Sequence, residues 1–238
     1  MKQFFLVLMS IFSLFLFFSC QSTKRLELSQ KRETENTNYY EIEIEKPLLK
    51  DSVPYAKKIN AHIDEIIGAQ RASFLKIVRD YTEDWGGTHK LPFFVSWKFY
   101  QLDDAIFSSL LTVYVYAGGA HGYTMLFPIN YDLETGEEIT IDTLPLYIGK
   151  KTKKKEKTSS EFLEVASRLS KPKIFSQVDT KHNTELAINW IEEGLEPKKE
   201  NFSYFTLTEK NLIFHFAEYQ LAPYYYGRLE ASIPYKKF

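Results

Sequence analysis

An α+β fold is what the sequence predicts: an antiparallel sheet with helices packed on it, and room for two sub-domains. Three observations carry this reading. Aromatic residues make up 16% of the 238, with 16 Tyr and 19 Phe, and such flat, bulky side chains suit a pleated surface. Several short stretches alternate apolar with polar residues, the period of a strand with one wet face. One long stretch instead repeats its apolar residues at helical spacing and supplies a cover for the sheet.

Residues 39–45 read Y-Y-E-I-E-I-E, setting Ile42 and Ile44 against Glu41, Glu43 and Glu45, and ordered structure is expected to begin there. Ser52 reads as a helix N-cap and Pro54 suits the first turn. Ala56, Ile59, Ile63, Ile66, Ile67, Phe74, Ile77, Val78 and Tyr81 then form one helical stripe, which Gly86-Gly87 ends. Strands are predicted over 93–102, 106–116 and 123–131, joined closely enough for an antiparallel meander. Asp132-Leu133-Glu134-Thr135-Gly136 is a tight turn before a short strand at 138–141. Beyond a lysine run at 150–157, helices are expected over 159–169 and 185–193, the second closed by Gly194 with Pro197 nearby. Strands over 202–208, 212–216 and 228–235 finish the chain.

The amino terminus has another character. Met1-Lys2 precedes an apolar stretch over 4–18, broken only by Ser10 and Ser13, with Ser19 directly before Cys20. This is the layout of an export signal, and it is short for a stable span of roughly 20 apolar residues. The chain then turns polar through residue 38. The expected organisation is a signal peptide at 1–19, a flexible tether at 20–38, an N-terminal α+β part at 39–142 and a C-terminal α+β part at 143–238. Cys20 is the only cysteine, so no internal disulfide can form. Phe17-Phe18-Ser19-Cys20 resembles a bacterial lipoprotein cleavage box, in which the thiol receives a diacylglyceryl group; Phe17 and Phe18 depart from that pattern, and an ordinary cleaved signal or an uncleaved anchor are the alternatives. Several acyl chains hold a soluble domain firmly where one is marginal. A lipid on Cys20 would make the protein a membrane-anchored lipoprotein of the cell envelope, periplasmic or surface-exposed.

Composition excludes other classes. A net charge of -1 with scattered basic residues gives no field for a polyanion, so nucleic acid is not an expected partner. His62, His89, His121, His182 and His215 include no pair at helical ligand spacing, so neither a metal nor a cofactor is expected. Gly-x-Ser-x-Gly elbows and phosphate-binding loops are absent, and no catalytic residue is assigned. The sharpest local feature is Tyr116-Ala117-Gly118-Gly119-Ala120-His121-Gly122 between two strands, a recognition loop presenting His121 or simply a connection whose glycines turn the chain. Residues 219–227 concentrate tyrosines beside Pro223 and Gly227, a surface for stacking sugar rings or an edge packed over the core. Tyr116, Gly118, Gly119, His121, Gly122 and Tyr224 are the candidate ligand-binding residues.

Gly118 to Gly122, the run Asn130-Tyr131-Asp132-Leu133-Glu134-Thr135-Gly136-Glu137-Glu138-Ile139, and the ending Tyr219-Gln220-Leu221-Ala222-Pro223-Tyr224 with Ile233-Pro234-Tyr235 carry a family resemblance. They resemble the extracytoplasmic domain of unknown function in the anti-sigma-V factor that senses lysozyme. The first part resembles the segment preceding the catalytic domain of some peptidoglycan deacetylases. The resemblance implies an α+β domain outside the cytoplasm that binds without catalysing, with lysozyme or peptidoglycan as its candidate partner. An unrecognised envelope hydrolase using His121 and a structural interaction protein are the other classes carried forward. Intact-mass analysis of the mature protein is expected to find residue 20 as a lipid-modified first residue; an unmodified Cys20 removes the anchor.

Overall fold

The computed structural model describes residues 26–85, 89–178 and 184–238. The segment expected to be a signal peptide, Cys20 and Gly86-Gly87 lie outside the described residues. Strand β1, Leu28–Asn36, opens the described part and pairs antiparallel with β2, Tyr40–Leu49. It stands where the sequence predicts a flexible tether, and order begins earlier than residue 39. The physical reason is that β1 is an edge strand, where charge is tolerated on both faces. Arg32 reaches Glu43 and Glu45 on one face, while Glu35 pairs with Arg71 on the other.

Helix α1, Ala56–Trp85, returns the chain so that β2 runs parallel to β3, Leu91–Leu102, which corrects the expectation of a wholly antiparallel sheet. The meander follows as predicted, β3 to β4, Ile106–Val115, to β5, Tyr123–Asp132, giving a sheet in the order β1-β2-β3-β4-β5. The predicted stripe faces this sheet: Ile59, Ile63, Phe74 and Val78 are buried against Ile42, Ile44, Phe93 and Val113. Each such side chain removed from water contributes about 1.5–3 kcal/mol. Ser52 does not cap α1; its hydroxyl accepts the Glu27 N–H and pins the approach to β1.

The second half is built on β6, Phe205–Leu207, β7, Asn211–Phe216, and β8, Leu229–Pro234, an antiparallel sheet. Helices α2, Leu144–Thr152, α3, Ser159–Phe175, and α4, Thr184–Gly194, surround it. The sequence reading missed α2, whose last turn merges into the lysine run. It also ended α3 short of Pro172, which the helix includes. Thr158 and Glu161 form a reciprocal capping box that fixes where α3 starts. The expected strand at 138–141 reduces to a single bridge between Tyr131 and Glu138. Phe202 lies in a 3-10 turn, Lys199–Phe202, so that strand is shorter than predicted.

Two buried clusters result, one under α1 and one among β6 to β8 and the later helices. Polar groups weld them. Ser108 Oγ donates to Asn130 Oδ1 at 2.7 Å, Asn130 Nδ2 donates to the Phe205 carbonyl at 2.8 Å, and the Leu207 N–H donates to Ser108 Oγ at 2.8 Å, all buried. A bulge in β3 between Phe99 and Gln101 adds a second link. It leaves Tyr100 out of the ladder, edge-on to His215 with ring centroids 5.5 Å apart.

His215 is buried between the Thr206 hydroxyl, 2.8 Å from Nε2, and Glu230 Oε1, 3.1 Å from Nδ1. A carboxylate only accepts, so Nδ1 carries a proton toward Glu230, and in the neutral ring Nε2 accepts from Thr206. The His215 hydrogen bond holds the Glu230 carboxyl below its ordinary value of 4.5 against a smaller opposing effect of burial, with Lys98 and Arg228 helping. A depressed carboxyl contributes stability above that ordinary value and loses it as pH falls through the depressed one. Glu230→Gln keeps an acceptor for Nδ1–H but not the charge. Its stability deficit relative to wild type, measured by urea unfolding, is therefore expected to shrink as pH drops below 4.5. A deficit independent of pH would contradict this.

Candidate functional site

The β4–β5 connection and the chain after β7 meet at one end of the molecule. Gly118 and Gly119 turn the first of these with φ of 88° and 102°, conformations that side chains disfavour. Tyr116 closes the loop on itself, its hydroxyl donating to the Gly119 carbonyl at 2.8 Å. His121 Nδ1 is 2.8 Å from the Gly122 carbonyl and Nε2 is 2.9 Å from the Tyr219 hydroxyl. A carbonyl cannot donate, so Nδ1 is protonated, and the neutral ring accepts from Tyr219.

The His121 ring stacks on Tyr224, with centroids 4.0 Å apart and planes 18° apart, and Tyr219 lies 5.6 Å from Tyr224. Beneath them Gly122 leaves room for Tyr114, since a Cβ there would sit 2.4 Å from the Tyr114 ring. Tyr114 in turn stacks on Phe94 at 6.1 Å. The Tyr224 phenol is pushed up by reduced contact with water, then by the charge of Glu218 and by Tyr114 and Tyr219. His121 and Tyr219 are exposed, Tyr224 is half-buried, and Tyr225 in the same 3-10 turn is 71% exposed.

Of the residues singled out by sequence, the structure brings His121, Gly122 and Tyr224 together, with Gly118 and Gly119 shaping the loop. Tyr116 is bonded within its own loop. Tyr114, Glu218, Tyr219 and Trp190 are the members that sequence reasoning did not name as site residues. The strand period that places Tyr114 on the face away from α1 was a signal for one of them, and the tyrosine-rich stretch 219–227 was a signal for Tyr219; nothing local marks Glu218 or Trp190. Tyr219 is held at φ 66°, an unusual conformation for a bulky residue, while the Trp190 indole N–H donates to its carbonyl at 2.8 Å. Gln220 anchors the same turn, accepting the Ala217 N–H at 3.1 Å and donating to the Asn201 carbonyl at 3.0 Å.

A second concavity of about 410 Å³ lies along the edge of β5, among His62, Ile66, Pro128, Glu138, Ile141 and Tyr204, and shares no residue with the aromatic cluster. There His62 Nδ1 meets the Tyr131 hydroxyl at 2.8 Å. Burial, with Glu138 and Glu137 behind it, pushes the Tyr131 phenol up to about 12. Among the described residues no group of three His, Cys, Asp or Glu is placed to hold a metal, and no helix is long and apolar enough to cross a membrane.

Gly194 is the packing point on which the tyrosine turn rests: a Cβ there would come 2.3 Å from the Gln220 carbonyl oxygen. Main chain cannot swing aside as a side-chain tip does. Gly194→Ala is expected to cost about 1–3 kcal/mol in unfolding free energy, the usual range for overpacking, and to shift the His121 ring resonances in NMR spectra. Unchanged resonances and stability would refute this coupling.

Residues 33–124 match the family model described as deacetylase PdaC, and residues 140–236 match that described as a protein of unknown function, DUF3298. The peptidoglycan-N-acetylmuramic acid deacetylase PdaC of Bacillus subtilis (strain 168) is 34% identical over 126 residues, 52% of this chain and 23% of that protein. This chain thus spans less than a quarter of that relative's length. Crystal structures of DUF3298 family proteins from Bacteroides fragilis NCTC 9343 and Pseudomonas aeruginosa PAO1 share the fold. Each has a TM-score of 0.58, with 16% and 14% identity, covering 89% and 90% of this chain and 91% and 92% of theirs. His121 comes from the first matched region, and Glu218, Tyr219 and Tyr224 come from the second. The chain is thus similar to the PdaC model over residues 33–124 and to the DUF3298 model over residues 140–236.

Proposed function

We propose that this is an exported envelope lipoprotein, anchored through Cys20, that acts as a non-enzymatic module binding cell-wall material through the His121–Tyr224 cluster. The observation that carries the reading is the exposed His121 ring stacked on the half-buried Tyr224, beside the exposed Tyr219 and Tyr225. Exposed ring faces offer a sugar a rigid apolar surface at little entropic cost, while phenol and imidazole edges supply hydrogen bonds. The relative's name, a deacetylase of peptidoglycan, supports wall glycan as the ligand class.

A hydrolase reading finds less support. His121 has a carbonyl and a phenol as partners and no carboxylate to orient it as a base. Thr206, His215 and Glu230 do stand in the order of a nucleophile, base and acid, but Thr206 and His215 are buried. Lysozyme, the other candidate, is basic and needs a gathered acidic surface. Glu43 and Glu45 line β2 beside Arg32, whereas Glu137 turns toward Lys58 of α1, so those acids serve separate places.

The test is retention on purified, insoluble peptidoglycan and on immobilised lysozyme at low salt. Wild type is expected to bind peptidoglycan, with His121→Ala and Tyr224→Ala each weakening retention about tenfold, the scale of one aromatic contact. Retention by neither material would end the proposal.

A further inference from the structure

Resting on that reading of the cluster, we infer that the glycan this face takes bears free amines, an amino sugar whose nitrogen is not acylated. The register of the first sheet places Glu43, Phe94, Tyr114 and Thr124 in one row across β2, β3, β4 and β5, on the face away from α1. Three strand spacings make that row about 14 Å long. The two rings in its middle are stacked, and each end carries a carboxylate: Glu43 itself, and Glu218 bound to Thr124.

Glu218 is the informative member. It accepts the Thr124 N–H at 3.4 Å and the Thr124 hydroxyl at 3.2 Å, and no cation pairs with it among the described residues. At the other end Glu43 shares one guanidinium, that of Arg32, with Glu45, at 3.4 and 3.5 Å. On β1 each carboxylate has a cation of its own, Lys31 for Glu33 and Arg71 for Glu35. The aromatic row is thus bracketed by negative charge, unpaired at Glu218 and only half offset at Glu43 and Glu45 by the one Arg32 guanidinium.

An acetamido group offers such carboxylates an amide N–H and no charge. A protonated amine offers charge-assisted hydrogen bonds at about twice the strength, together with attraction to the faces of Tyr114 and Tyr224. The sugar rings account for the stacked aromatics, and the ammonium groups account for the acids at the row's ends.

The experiment compares chitosan oligosaccharides, which bear free amines, with N-acetylated chitin oligosaccharides of equal length, by calorimetry on the purified chain. Chitosan is expected to bind about tenfold more tightly, the value of one hydrogen bond to a charged group. Glu218→Gln should abolish that preference, lowering chitosan affinity more than chitin affinity, and Glu43→Gln should reduce it. Equal affinities, or a preference that survives both substitutions, would overturn the amine assignment and leave the aromatic reading standing. Binding of neither oligosaccharide would remove both. Oligolysine captured as tightly as chitosan, with the same dependence on Glu218, would overturn the sugar assignment in favour of cationic peptides.

Discussion

Two side chains on the first sheet do the work of a missing strand for the second. The β6 ladder to β7 uses alternate residues, as the bond from the His215 N–H to the Tyr204 carbonyl shows, so the Phe205 carbonyl and the Leu207 N–H point outward from the sheet edge. They meet Asn130 and Ser108, fully inside the protein. An unmet buried backbone group costs about 1–3 kcal/mol, and here two such groups and two side chains satisfy one another. Register matters as much as energy. A slip of one residue along β5 or β6 would turn the wrong groups inward, so the network fixes how the two sheets sit.

That fixed relation is what assembles the aromatic cluster. His121 precedes β5 and Tyr219 follows β7, and neither loop has a local reason to find the other. Once Asn130 holds β5 to β6, the start of β5 and the end of β7 lie at the same end of the joint. The remaining contacts then set the geometry: Thr124 to Glu218, Trp190 to the Tyr219 carbonyl, and Gln220 to Asn201. The left-handed backbone at Tyr219 is a conformation of order 1–3 kcal/mol above the ordinary one, and it persists because these anchors over-determine the turn. A surface so held loses little freedom when a ligand docks, which suits recognition.

Local periodicity made most of the fold legible. The α1 stripe and the start of β3 could be read because their burial follows repeats of 3.6 and 2 residues, while β4, buried over its first six residues, was legible as an apolar run between turns. Strand β1 was hidden because an edge strand paired through Arg32, Glu33 and Glu35 has the composition of a tether. The parallel β2–β3 pairing was hidden because direction depends on where a long helix returns the chain. In the site, Gly118-Gly119 announced a turn and His121 stood out beside it, but Glu218 and Tyr114 acquire meaning only from cross-strand register. Sequence reasoning could list the rings; it could not tell that Tyr114 lies under Gly122.

The contrast between two histidines bears on what such a scaffold can do. His215 has what a base requires, a hydroxyl on one nitrogen and a carboxylate on the other, yet its place between β6, β8 and Tyr100 leaves no room for a reacting atom. Its partners instead join β6 and β8 across β7, and its ring contact with Tyr100 ties the second sheet to the bulge of β3. His121 has the access that His215 lacks, but its ring nitrogens are occupied by a carbonyl and a phenol, which orient the ring for stacking and give it no proton acceptor of greater basicity. Chemistry needs both properties in one residue. On the proposed reading this fold keeps them apart: the charged relay serves as a strut inside, and the flat aromatic face is what solvent and ligand meet.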